Sequence, residues 1–158
     1  MIIFVSQLIT YINQINMTNK QIDLVKSSWS IVATIDPVTV GGLFYERLFE
    51  ISPQLRHLFH NPMPEQSKKL LAMINYVISK LDKLEDILDQ VAKLAQHHVS
   101  YGVKPDHYRV VGEALLWTLE KGLGENWNND VKEAWTVCYD TLSSAMINAA
   151  GYEQKDAA

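Results

Sequence analysis

Residues 88–105 read LDQVAKLAQHHVSYGVKP, and this stretch decides the fold. Leu88, Val91 and Leu94 or Ala95 recur at helical spacing, and Leu84 extends the row upstream. Continuing that spacing lands on His98, i+4 from Leu94 and i+7 from Val91. A histidine therefore closes an apolar stripe. His97 lies about 100° away around the helix and points elsewhere. Gly102 is the expected C-terminal cap, since glycine adopts the left-handed backbone that ends helices. Pro105 opens the next helix, where a missing N–H costs nothing.

The same periodicity runs outward in both directions. Downstream, Tyr108, Val111, Leu115 and Leu119 face inward until Gly122 and Gly124 break the helix. A last helix follows Asn128-Asn129-Asp130, with Val131, Trp135, Cys138, Leu142, Ala145 and Ala149 in phase. Upstream, a helix from about Pro64 to Leu81 carries the stripe Gln66, Leu70, Ile74, Val77 and Leu81. Gln66 is its only polar member. Leu43, Phe44, Leu48 and Phe49 belong to an earlier helix that ends before Ser52-Pro53. Asp36-Pro37 separates that helix from the first, whose stripe is Ile22, Val25, Trp29 and Val32. Thr18-Asn19-Lys20-Gln21 reads as a capping box. Val38-Thr39-Val40 is β-branched but isolated, and no strand survives. The expectation is an all-α single domain of six to eight helices over residues 17–150, with an N-terminal extension 1–16 and a C-terminal tail 151–158.

Composition bounds the function. A chain of 158 residues is one core's worth of sequence and buries about 70% of its unfolded surface on folding. A net charge of −4 argues against a nucleic-acid binder, which needs a basic face to displace counterions. The single cysteine, Cys138, excludes an internal disulfide and a multi-cysteine zinc site, and suits the reducing cytoplasm. Its place on a buried stripe makes it inert. No apolar run of about 18 residues is present, so no transmembrane helix is expected. Residues 1–16 carry no charge, so they lack the basic start of a secretory signal. Phe4, Leu8, Tyr11, Ile12 and Ile15 fit a short amphipathic helix there. The other reading is an extension ahead of a true start at Met17.

Two residues interrupt apolar stripes, His98 and Gln66. Taken alone, a histidine on an apolar face is more often a core residue bonded to a carbonyl than a metal ligand. A glutamine in a first helical turn is common. Their order with other residues says more. Trp29, Leu43-Phe44-Tyr45 through Leu48-Phe49, Leu58-Phe59, Asn61-Pro62 and Gln66-Ser67-Lys68-Lys69-Leu70 precede His98. Tyr101-Gly102-Val103, Ala134-Trp135 and Tyr139 follow it. With these segments, the chain from Met17 to about Met146 resembles the globin family, in particular bacterial single-domain globins and the haem domains of flavohaemoglobins.

That resemblance implies a globin fold around haem b. His98 matches the proximal iron ligand. Tyr45 and Gln66 match the distal polar pair beside the open sixth position. Bound O₂ carries partial negative charge, so each donor adds about 1.5–3 kcal/mol, or one to two decades in dissociation rate. Phe59 matches the aromatic stacked on haem, Leu70 and Val103 match apolar haem contacts, and Lys69 matches a partner for a haem propionate. Tyr108 matches the proximal tyrosine of flavohaemoglobins. The proximal glutamate of that group aligns with Ala150 or its neighbourhood, so its push towards O–O cleavage is not expected; Glu153, three residues on, substitutes only if the last helix is distorted. Gln66 in place of a distal histidine argues for a pentacoordinate iron.

The function implied is binding of O₂, NO and CO, for oxygen binding and transport or NO detoxification. As a NO dioxygenase the chain needs a separate reductase, since it carries no glycine-rich dinucleotide fingerprint. The alternative is a globin-fold sensor or interaction module. Each site residue also has an ordinary role open to it. Tyr45, Phe59 and Leu70 suit any helical core, and Lys69 suits a solvated face. His57, His60 and His107 read as surface residues, and Trp29 and Trp135 as packing anchors.

Overall fold

The computed structural model describes residues 17–151, and the amphipathic segment expected at 1–16 and the tail from 152 lie outside them. Six α-helices follow one another among the described residues, and no strand occurs among them. They are α1 (Asn19–Val32), α2 (Pro37–Ile51), α3 (Met63–Ser79), α4 (Leu88–Ser100), α5 (Pro105–Leu123) and α6 (Asn129–Ala150). Short 3₁₀ segments span Pro53–Leu58, Leu81–Ile87 and Gly124–Asn126. No helix among the described residues is long and apolar enough to cross a membrane.

Local chemistry sets most boundaries. The Gln21 N–H donates to Thr18 Oγ1 at 3.1 Å and the Thr18 N–H to Gln21 Oε1 at 3.0 Å, closing the capping box of α1. Asp36 accepts from the Thr39 N–H at 3.2 Å and starts α2 just before Pro37. Asn128 caps α6 through the Val131 N–H at 2.9 Å. Gly102, with φ of 91°, closes α4 as expected.

Three expectations need correction. The helix begun near Pro64 ends at Ser79, and Leu81 belongs to the 3₁₀ segment. Leu84 is in that segment too, between the non-helical backbone of Lys83 (φ −139°, ψ 52°) and the break at Ile87 (φ −119°, ψ 15°) that precedes α4. Gly122 does not break α5. It lies inside the helix, where Val32 and Ile35 approach it, and the positive φ falls at Gly124.

The helices pack pairwise: α1 on α6, α2 on α3 and α5, and α4 on α6. Trp29 and Trp135 meet at 6.1 Å between centroids, and Trp135 Nε1 donates to Ser28 Oγ at 2.8 Å. The larger core cluster joins α1, α4, α6, most of α3 and the end of α5. A smaller one gathers Phe44, Tyr45, Leu48, Leu55 and Ala114, and Leu70 and Leu115 touch both. The helices α3 and α4 make no extended contact with each other. Gln66, Leu70, Ile74 and Val77 on α3 and Leu94 and His98 on α4 are only half-buried.

Candidate functional site

The candidate residues fall on two sets of elements. His98 sits in the last turn of α4. Its Nδ1 lies 2.7 Å from the Leu94 carbonyl. A carbonyl only accepts, so Nδ1 carries a proton, and in the neutral ring the lone pair is then on Nε2. The Tyr108 ring, on α5, stacks on the imidazole at 6.4 Å with 30° between planes. Behind it, Tyr139 Oη donates to the Tyr108 carbonyl at 2.5 Å. The turn at Gly102 returns Val103 over the helix end, where its N–H donates to the His98 carbonyl at 2.9 Å. A neutral imidazole with a fixed tautomer and a held ring plane is a good metal ligand. His97 is exposed, as its phase requires.

The other side belongs to α2 and α3. Tyr45 is only 4% exposed. Phe44 and Phe59 meet its ring edge-on at 5.0 and 5.2 Å, and Phe49 stacks on it at 6.0 Å. The Gln66 side chain lies near its hydroxyl. Burial pushes the Tyr45 phenol above its ordinary value and the Gln66 side chain pulls it back in part. The phenol is therefore protonated at neutral pH and remains a donor. Asn61 Nδ2 donates to Gln66 Oε1 at 3.4 Å.

The structure thus brings Tyr45, Gln66 and Phe59 together in one group and His98, Val103 and Tyr108 in another. Leu70 is half-buried between the two core clusters, while Lys69 beside it is exposed. Leu58 ties the groups at one end, its side chain 3.4 Å from where a Cβ on Gly102 would sit. Sequence reasoning gave no site role to Phe49 or Asn61. Phe49 was findable as the i+4 neighbour of Tyr45. Asn61 was quoted for order alone, and nothing in its spacing announced a bond to Gln66. Among the described residues no cluster of three or more His, Cys, Asp or Glu could hold a metal.

The architecture is that of a helical protein with one poised imidazole on α4 and a buried phenol near an amide on α2 and α3. A globin family model matches residues 42–146. The flavohemoproteins of Vibrio cholerae and Bacillus subtilis are each 30% identical, over 85% and 89% of this chain. The chain covers only 35% and 36% of those two proteins, about a third of their length. Neuroglobin-1 of Oncorhynchus mykiss is 31% identical over 82% of this chain and 90% of its own. A bacterial globin from Campylobacter jejuni superposes with a TM-score of 0.75 at 26% identity, covering 87% of this chain and 99% of that one. The chain belongs to the globin family, whose members bind haem and, through it, diatomic ligands.

Proposed function

We propose that this chain holds haem b with His98 as its one protein ligand, and that Tyr45 and Gln66 hold O₂ by hydrogen bonding. The observation that carries this is the imidazole: Nδ1 is committed to the Leu94 carbonyl at 2.7 Å, and Nε2 is left as a lone-pair donor on the half-buried face of α4. The residues fit the group. The half-buried apolar residues of α3 and α4 suit a flat apolar macrocycle, and contact with it would remove them from water. The haem supplies an iron at which O₂, NO or CO binds. Phe59, Leu70 and Val103 provide apolar contact, Lys69 at the exposed edge pairs with a propionate, and Tyr108 holds the His98 ring in plane. Gln66 in the distal position leaves no second imidazole there, which favours a pentacoordinate iron.

The Tyr45 hydroxyl and the Gln66 amide place two donors beside a ligand that gains negative charge. Such a pocket releases O₂ slowly, which suits scavenging or NO detoxification better than carriage. We infer NO dioxygenation in which NO and O₂ combine with one electron to give nitrate. The electron comes from a separate reductase, a role consistent with the flavohemoprotein relatives. Ala150 stands where a proximal glutamate would be needed for peroxidase-like tuning, and it brings no carboxylate. The buried, unpaired Cys138 agrees with a cytoplasmic location.

The test is the visible spectrum of the purified, reduced protein before and after CO. The expected result is an intense haem band that shifts with CO and is lost or altered in His98→Ala. A protein that shows no such band even after added haemin overturns the reading.

A further inference from the structure

The start of α5 is capped in a way that only a neutral histidine can supply. Lys104 stands just before the helix, and its backbone N–H donates to His107 Nδ1 at 3.0 Å. The His107 backbone N–H donates to the Lys104 carbonyl at 3.0 Å, which closes a reciprocal pair across the first turn. A backbone N–H only donates, so the direction of the first bond is fixed. Nδ1 therefore holds a lone pair, and the ring proton is on Nε2. In the usual capping box this third helical position carries Glu or Gln, which accept without titrating near neutral pH. An imidazole accepts there only while it is uncharged.

Protonation turns Nδ1 from an acceptor into a donor. The Lys104 N–H then loses its partner, and a cation stands in the first turn of a helix, the end that disfavours positive charge. The charged and titratable groups around the ring are Lys104 and Asp106 on its own turn and His57 on the 3₁₀ segment Pro53–Leu58. Burial and the Lys104 charge hold the ring below its ordinary value of 6.5, Asp106 works against them, and His57 adds to them.

The residues on either side of this cap are those that touch His98. Val103, directly before Lys104, donates its N–H to the His98 carbonyl at 2.9 Å. Tyr108, directly after His107, stacks its ring on the imidazole at 6.4 Å. We propose that His107 is a positioning residue: its neutral ring caps α5 and so holds Val103 and Tyr108 against His98, and acid releases them. The inference rests on the role of His98 as haem ligand proposed above, and it adds a control of haem retention by pH.

Two substitutions separate the cap from its titration. His107→Gln keeps an acceptor at the same position and does not titrate, whereas His107→Ala has no acceptor at any pH. The rate of haem transfer from each holoprotein to a haem-free acceptor protein is measured at pH 7.5 and 5.5. Comparison with His107→Gln cancels what acid does at His98 itself. At pH 7.5 wild type and His107→Gln are expected to release haem alike. At pH 5.5 wild type releases it about fivefold faster than His107→Gln, the worth of one helix cap. His107→Ala exceeds His107→Gln by about that factor at both values. His57→Gln, which leaves the cap in place, keeps the acid response of wild type. A second readout needs no haem. In the haem-free protein the Tyr108 ring resonances are expected to move with the His107 titration, below pH 6.5, and this transition is absent in His107→Gln. The inference is overturned by an equal acid response in wild type and His107→Gln, or by its loss in His57→Gln. A protein that takes up no haem overturns the ligand role of His98, and the haem-free titration still decides whether His107 positions the Tyr108 ring.

Discussion

Cys138 sits on the inner face of α6, and burial pushes its thiol up to about 12. Its ordinary value is near 9.0, so the shift is a statement about stability. Above pH 9 the unfolded chain gives up this proton while the folded chain keeps it. The folded state then binds more protons, and stability falls as pH rises towards 12, by at most about 1.4 kcal/mol per pH unit for one group. Tyr45 and Tyr139, whose phenols burial also raises, steepen the fall once pH passes about 10. Urea unfolding followed from about pH 8 to 10.5 is expected to show a midpoint that drops with pH. Cys138→Ala is less stable at pH 8 because it opens a void, yet its midpoint is flatter between pH 9 and 10. An unchanged slope in that variant assigns the loss to other groups. The same burial makes the thiolate scarce at neutral pH, so Cys138 behaves as core and not as chemistry.

At the scale of elements, the crossing of α2 over α3 decides whether Tyr45 and Gln66 meet. Gly41 lies one turn before Tyr45, and Ser67 lies next to Gln66. A Cβ on Gly41 would sit 2.2 Å from Ser67 Cβ, closer than any side chain tolerates. Gly41→Ala is therefore expected to cost about 1–3 kcal/mol by overpacking and to speed O₂ release by spreading the helices. Gly42→Ala is the control. Nothing lies within 4 Å of its added Cβ, and the gain in helix propensity is worth up to about 1 kcal/mol. Equal stability of the two variants in chemical denaturation would show that the crossing gives way easily. Elements of this kind were legible in the sequence where their causes are local. The Thr18–Gln21 box, the Asp36-Pro37 start and the Asn128 cap lie where the residues announce them. The 3₁₀ segment at Leu81–Ile87 was not legible, because Leu84 keeps its apolar phase while the backbone at Lys83 leaves the helix. Gly122 was misread because its neighbours Val32 and Ile35 come from the other end of the chain. Likewise His98, Tyr45 and Gln66 stood out as a set, but the Asn61 bond to Gln66 depends on how a proline-bounded turn places one side chain.

For the molecule as a whole, the telling feature is that α4 leans on one side only. It packs on α6 and makes no extended contact with α3, and the core divides into two clusters bridged by Leu70 and Leu115. The pairing of α1 with α6 has its own supports in the Trp29–Trp135 contact and the Trp135 to Ser28 hydrogen bond. By contrast α4 is 13 residues long with no side-chain cap at its start, a length at which a helix without tertiary support is marginal in water. A haem bound through His98 would supply the missing side. Binding to the folded state alone adds about 2.7 kcal/mol at a hundredfold excess over Kd, and the gain concentrates where the ligand attaches. Removal of haem is therefore expected to strip hydrogen-exchange protection from Leu88–Ser100 first, while α1 and α6 keep theirs, and added haemin restores it. A uniform loss across α1, α4 and α6 would mean that the domain opens as one unit, with α4 carrying no separate weakness. Local loss confined to α4 would place the metal ligand on the element most dependent on the group it holds.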